Sequence, residues 1–325
     1  MAYPTRRCLA LFLSLLSGLL GANATAQTFP EKPIHLVVGF APGGGTDLLA
    51  RLVGQKLGDR LGQVVVIDNR PGANMIVGSD AVAKAPPDGY TLGMAATPSV
   101  TNPSLYARLP FDTSKDFSWV TQLTTSSLVL LVNNSVPVNS VQDLIALARK
   151  EPGKIAYGSS GSGGSIHLAG VLLEKMANIN MIHVPYKGNA PALTDLIGGR
   201  IAFLFGDIPQ VASYIKAGTV KAIAVSTLKR SPALPGVPTI AESGLPGYDV
   251  AVWYGISAPA NTPKAVTAKL AREFKEVLQM PEVKEKLVSW GVQPVGSTPE
   301  EFEIFIKNDI VKWASTIKAA NILLD

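Results

Sequence analysis

The sequence predicts an α/β fold of two lobes, each a mainly parallel sheet flanked by helices, with a ligand cleft between them. Three observations carry this prediction. Short β-branched runs alternate with helical segments along most of the chain, the pattern of parallel strands covered on both faces. A strand, a glycine-rich turn and a helix follow one another twice, about 115 residues apart, and each set heads its own group of strand–helix units. The chain crosses between the groups near residues 126–128 and again near 249–252. Two crossing strands form a hinge that permits closure over a ligand.

The first 26 residues stand outside this fold. Arg6 and Arg7 precede an apolar stretch over 9–20, and Ala22-Asn23-Ala24 and Ala24-Thr25-Ala26 are small-x-small cleavage signals. This is the plan of a secretory signal peptide, too short and wrongly flanked for a membrane span. Cleavage is expected between Ala26 and Gln27. The single cysteine, Cys8, lies inside that segment, so no disulfide or thiol chemistry is expected of the mature chain. Of 325 residues 299 remain, and loss of Arg6 and Arg7 lowers the net charge from +5 to +3. That balance favours anionic ligands weakly. No Lys/Arg run resembles a nucleic-acid patch, and no later stretch is long and apolar enough to cross a membrane.

The first strand is 34–38. Pro42 and the triplet Gly43-Gly44-Gly45 follow, and then Leu48, Leu49, Leu52, Val53 and Leu57 recur at helical spacing. Thr46 or Asp47 is placed to cap that helix. A second strand covers 64–67, a helix 76–85, and a third strand 91–95. Residues 96–99 read as a turn and 102–106 as a short helix. In the second group 128–132 is a strand, 140–150 a helix and 155–157 a strand. The second glycine-rich turn is 159–165, and its helix is 166–177. The alternation continues through 181–185, 190–197, 201–205, 209–216 and 220–225. Residues 250–257 are extended, and the tail is helical over 263–279, 281–290 and 298–320. Thr298-Pro299-Glu300-Glu301 supplies the last helix with an N-cap, an N1 proline and an acidic first turn. The lobes are then 27–127 with 249–325, and 128–248.

In such sheets ligands bind at the carboxyl ends of the strands. The turns there hold the candidate binding residues. Pro42, Gly43, Gly44, Gly45 and Thr46 form the first turn, with Phe40 beside it, and Thr97 and Ser99 belong to the second. Ser159, Ser160, Gly163, Ser165 and His167 belong to the third, and Asp207 to the fourth. Glycine amides and the first free N–H groups of a helix can converge on one anion. A turn that only lets helix and strand pack closely fits the first stretch equally well. Asp207 reads as a helix cap or as an acceptor for a ligand amino or hydroxyl group. Lys187 reads as a turn residue or a carboxylate partner. His35 and His183 read as structural, and Trp253 and Tyr254, beside the second crossing, as core or hinge packing more readily than as a ligand wall.

Several motifs fail. No Gly-Lys-Ser/Thr closes the first turn as a P-loop requires, and the last glycine of the dinucleotide fingerprint is missing. Ser160 and Ser162 lack the flanking glycines of a nucleophile elbow, and His167 is the one nearby base for a hydrolase. The histidines are not at zinc spacing. No catalytic residue, cofactor or metal is expected.

The chain resembles the Bug/TctC family, the extracytoplasmic solute receptors of tripartite tricarboxylate transporters. The resemblance rests on P-E-K-P-I-H-L-V-V-G-F-A-P-G-G-G-T-D (30–47), D-N-R-P-G-A (68–73), A-P-P-D-G-Y-T-L (85–92) and N-P-S-L-Y (102–106). It continues in Y-G-S-S-G-S-G-G-S-I-H-L-A-G (157–170), H-V-P-Y-K-G-N-A-P-A-L-T-D-L (183–196), R-S-P-A-L-P-G-V-P-T (230–239) and G-L-P-G-Y (244–248). It implies a periplasmic type II binding protein in which the 42–46 and 159–165 loops hold a ligand carboxylate, often with ordered water. Asp207 matches a position that helps choose the ligand. The implied ligands are mono- or dicarboxylates, amino acids or aromatic acids, and the implied partners are membrane transporter subunits. A monomer is expected. A periplasmic adaptor that senses the ligand for a signalling partner is the alternative role. Gly39 stands where the family usually has proline, and Asn74-Met75 where a glycine pair is common, a change placed to reshape the rim of the first lobe.

Overall fold

The computed structural model describes residues 29–186, 188–320 and 322–324. Segment 1–26, expected to be a signal peptide, and Lys187 lie outside the described residues. The strands are β1 (Ile34–Val38), β2 (Val65–Asn69), β3 (Thr91–Ala96), β4 (Phe117–Asn133), β5 (Ala156–Ser159), β6 (Ile182–Pro185), β7 (Phe203–Asp207), β8 (Val220–Val225), β9 (Ala251–Pro259) and β10 (Gln293–Pro294). The helices are α1 (Gly45–Leu61), α2 (Ile76–Ala83), α3 (Thr97–Leu105), α4 (Val141–Lys150), α5 (Ser165–Ala177), α6 (Asn189–Ile197), α7 (Ile208–Lys216), α8 (Lys264–Gln279), α9 (Pro281–Ser289) and α10 (Pro299–Ala319).

The strand order is β2-β1-β3-β9-β4-β7-β5-β6, with β8 and β10 also paired to β4. β1 is parallel to β2 and β3, and β5 to β6 and β7. β9 runs against both β3 and β4, and β7 and β8 run against β4. The two-lobe α/β sheet is therefore parallel at its wings and antiparallel along its spine. β4 is that spine. Its residues from Phe117 to Ser127 pair with β9, and those from Leu128 to Asn133 pair with β7 or β8. The strand expected at 128–132 is only its second half. The first half carries Thr121, Gln122 and Thr124, which are buried although polar. Thr121 Oγ1 donates to the Ser297 carbonyl at 2.8 Å, and such a satisfied hydroxyl hides the strand from a hydrophobicity reading.

Side-chain caps account for two helix starts. Ser140 Oγ accepts the Asp143 N–H ahead of α4 at 3.1 Å. Thr298 and Glu301 form the reciprocal capping box of α10, at 3.2 and 2.8 Å. Two starts differ from expectation. α1 begins at Gly45 with Gly44 as its N-cap, so neither Thr46 nor Asp47 caps it. Residues 97–105 form one helix rather than a turn and a short helix, because Pro98 falls in the first turn, where its missing N–H costs nothing. On α1, Val53 and Leu57 are fully buried, each contributing about 1.5–3 kcal/mol. They join Leu36, Leu270 and Phe274 in one core. Tyr157, Phe203, Phe205 and Phe302 anchor a second. α10 packs on α3, α5 and β4, and so touches both groups of strands.

Candidate functional site

Two loops of the same build open α1 and α5. Gly43 and Gly163 have φ of 87° and 80°, a left-handed conformation that a side chain would strain. The N-caps Gly44 and Gly164 follow with φ/ψ of −79°/169° and −82°/168°. The side chain four residues after the first glycine then closes each loop. Asp47 Oδ2 accepts the Gly43 N–H at 2.9 Å, and His167 Nδ1 accepts the Gly163 N–H at 3.0 Å.

Each acceptor is itself anchored. Asp47 is 2% exposed; Arg51 Nε donates to its Oδ2 at 2.9 Å and Asn69 Nδ2 to its Oδ1 at 3.0 Å. The Arg51 hydrogen bond is the main cause that holds the Asp47 pKa down to about 2 despite burial. His167 is 5% exposed and stacks on His183, with centroids 3.7 Å apart. Burial, then the neighbouring His183, lowers the His167 pKa to about 3, and burial lowers that of His183 to about 4. Both rings are neutral near pH 7, and a Nδ1 that accepts leaves the His167 proton on Nε2. His183 Nε2 lies 2.6 Å from Ser159 Oγ, which donates to the Gly161 carbonyl at 2.8 Å.

Between these loops lies a cavity of about 270 Å³, lined by Phe40, Thr46, Asn74, Ala96, Thr97, Pro98, Ser160, Gly161, Ser162, Gly164, Ser165, Ile166, Asp207, Val252, Trp253 and Tyr254. The lining includes the N-terminal ends of α1, α3, α5 and α7. Among the described residues no lysine, arginine or histidine belongs to it, and Asp207 and Tyr254 are its ionisable residues. Burial raises the Asp207 pKa, while Asn189 Nδ2, donating at 2.8 Å, favours the carboxylate. Burial, then the Asp207 charge, raises the Tyr254 pKa to about 12. A Cβ built on Gly45 would stand 3.6 Å from the Tyr254 hydroxyl. A larger groove of about 960 Å³ runs along α8 and α10, away from the carboxyl ends of β1, β3, β5 and β7.

Of the residues expected from sequence, Phe40, Thr46, Thr97, Ser160, Ser165 and Asp207 line the cavity, while Pro42, Gly43, Gly44, Gly45, Ser99, Ser159, Gly163 and His167 do not. The Gly43 and Gly163 amides are committed to side chains within their own loops. Ser99 Oγ accepts the Ala96 N–H at 3.3 Å. Ser159 is fully buried behind its loop. With Nδ1 turned to Gly163, His167 is placed as an internal acceptor and not as a base for Ser160 or Ser162.

Other lining residues were not among the expected site residues. Trp253 and Tyr254 line the cavity as well as pack; Trp253 Nε1 donates to Asp309 Oδ2 at 3.1 Å. Asn74 stands in a run of three left-handed residues, Ala73, Asn74 and Met75, with φ of 42°, 50° and 73°. Asn74 Nδ2 donates to Asn102 Oδ1, and Asn102 Nδ2 donates back to the Asn74 carbonyl, both at 2.8 Å. A Cβ at Gly39 would stand 2.9 Å from Met75 Cβ. Gly39 thus leaves room for Met75. The departure from the family pattern expected at Asn74-Met75 is the signal that pointed to this rim.

Among the described residues no helix is long and apolar enough to cross a membrane. Residues 49–322 match the family described as the tripartite tricarboxylate transporter family receptor, TctC. BugT of Bordetella pertussis (strain Tohama I) is 36% identical over 318 residues, which is 97% of each protein. The structure of R. palustris Rpa4515 with adipate is 36% identical with a TM-score of 0.80, covering 91% of this chain and 100% of that one. MatC from Rhodopseudomonas palustris with bound malate is 29% identical with a TM-score of 0.76, covering 89% and 100%. With its two-lobe fold and its paired glycine loops, the chain belongs to the TctC (Bug) family of periplasmic solute-binding receptors.

Proposed function

We propose that the protein captures a small carboxylate in the 270 Å³ cavity and delivers it to the membrane subunits of a tripartite transporter. The observation that carries this reading is the convergence of four helix N-termini on a cavity that, among the described residues, has no cationic side chain. The orphan N–H groups and dipole of a helix N-terminus favour an anion. Thr46, Thr97, Ser160, Ser162 and Ser165 add hydroxyl donors. Hydrogen bonds to a charged acceptor contribute about 1.5–3 kcal/mol each. Four or five of them sustain a micromolar Kd, about −8 kcal/mol, after the costs of association.

The adipate and malate held by related proteins are both dicarboxylates. Here Asp207 supplies an acceptor in the same cavity, suited to a ligand hydroxyl, amino group or protonated acid. In this reading 1–26 is a cleaved export signal, and the cavity lies between a lobe of 27–127 with 249–325 and a lobe of 128–248. The change of partners along β4, from β9 to β7 and β8 at Ser127 and Leu128, supports that division.

The test is thermal unfolding of residues 27–325, stripped of ligand by unfolding and refolding, against a panel of mono- and dicarboxylates, amino acids and aromatic acids. A ligand at a hundred times its Kd adds about 2.7 kcal/mol of stability. A shift with one chemical subset supports the proposal, and no shift with any carboxylate counts against it.

A further inference from the structure

We infer that Asp47 and His167 are matched positioning residues of the ligand site, each using one glycine amide to fix the donors that follow it. The inference rests on the carboxylate reading above. The two loops share their backbone plan. Their left-handed glycines, extended N-caps and first helical bonds agree, with Leu48 N–H on Gly44 O at 2.9 Å and Leu168 N–H on Gly164 O at 3.0 Å. Corresponding residues stand 120 positions apart, Gly43 with Gly163 and Asp47 with His167.

The closing side chains nevertheless share no chemistry beyond a lone pair. One is a carboxylate held by Arg51 and Asn69, the other a neutral imidazole held by a stack on His183. Two unrelated residue types making the same bond at the same place point to the bond, and not the residue type, as what the two loops share. Each anchor also reaches back to the chain just before its loop. Asn69 Nδ2 donates to the Phe40 carbonyl at 3.1 Å, and His183 meets Ser159 at the end of β5. The strand end, the turn and the first helical turn thereby form one closed ring.

The locked amide is lost to the ligand. The donors left are the orphan amides of the first helical turn, together with the hydroxyls of Thr46 and Ser165, which line the cavity. Donors fixed in advance pay no ordering cost on binding. The structure therefore assigns Asp47 and His167 to the affinity of the site, although neither lines it.

The experiment compares wild type, His167→Leu and His167→Asn, since the asparagine side-chain oxygen can stand where Nδ1 stands. Amide hydrogen exchange of Gly163 is read by NMR in the ligand-free protein, and the Kd for adipate by titration calorimetry. Gly163 is expected to exchange about tenfold faster in His167→Leu and at the wild-type rate in His167→Asn. Adipate affinity is expected to fall about tenfold in His167→Leu and to recover in His167→Asn. Asp47→Ala repeats the comparison at Gly43, and decides alone if His167→Leu does not fold. Unchanged exchange, or equal loss in both His167 variants, overturns the inference. A wild type that binds no carboxylate weakens the function proposed above, while the exchange rates still decide the lock.

Discussion

The imidazoles of His167 and His183 lie nearly face to face, 3.7 Å apart and 18° from parallel. Each titrates well below the usual histidine value, at about 3 and about 4, chiefly because it is buried. As pH falls, the unfolded chain therefore takes up protons first, near pH 6.5. Stability is unaffected above that pH and falls below it, by up to about 1.4 kcal/mol per pH unit for each ring. The depressed Asp47 pKa, about 2, adds a separate loss only below about pH 4. Urea unfolding at pH 7 and pH 5 checks this: wild type should lose stability on acidification, and His167→Asn about half as much.

Gly164 is the place to block the cavity. It lines the cavity, its φ of −82° suits any residue, and a Cβ there meets nothing within 4 Å. Gly164→Val should fold normally and lose the carboxylate-induced thermal shift. Gly44 does not line the cavity, and Gly44→Ala should keep that shift. Binding retained by Gly164→Val would place the ligand elsewhere.

Asp207 should make selectivity depend on pH. Burial raises its pKa, so acid converts it from an acceptor into a donor. Affinity for a dicarboxylate should rise relative to that for a monocarboxylate as the pH is lowered from neutral. The ratio should be flat in Asp207→Asn, as calorimetry across a pH series would show. Monocarboxylate affinity should stay level from pH 6 to 8, because both buried histidines remain neutral.

Gly255 is fixed by contact. A Cβ there would lie 2.3 Å from Phe302 Cζ and 2.8 Å from the Thr121 carbonyl oxygen. Gly255→Ala must push α10 away from β9, and should cost at least about 1–3 kcal/mol. Urea midpoints would report it, and an unchanged midpoint would mean that Phe302 moves freely.

The legible features were local. The run of Leu49, Val53 and Leu57, the Thr298 capping box and the two glycine turns each express their structure within a few residues. The illegible ones depend on distant partners. Residues 117–125 carry strand formers such as Trp119, Val120 and Thr121, but their polar members look out of place in a core until Ser297 is seen to satisfy Thr121. The site was half legible for the same reason. Thr46, Ser165 and Asp207 sit at helix starts, whereas Tyr254 reaches the cavity only because β9 lies between β3 and β4. The kinship of Asp47 and His167 was invisible, because it lies in one hydrogen bond and not in residue type.

The place of β9 also governs the order in which the protein can be made. β3 and β4 are neighbours in sequence, yet each pairs with β9 and neither with the other. A chain emerging from its amino end must hold two facing edges apart until residue 251 arrives, then admit a strand between them. Such late, long-range pairing is slow, and open edges invite association with other chains. A chain halted before Ala251 would be left with an open seam, sticky along both margins.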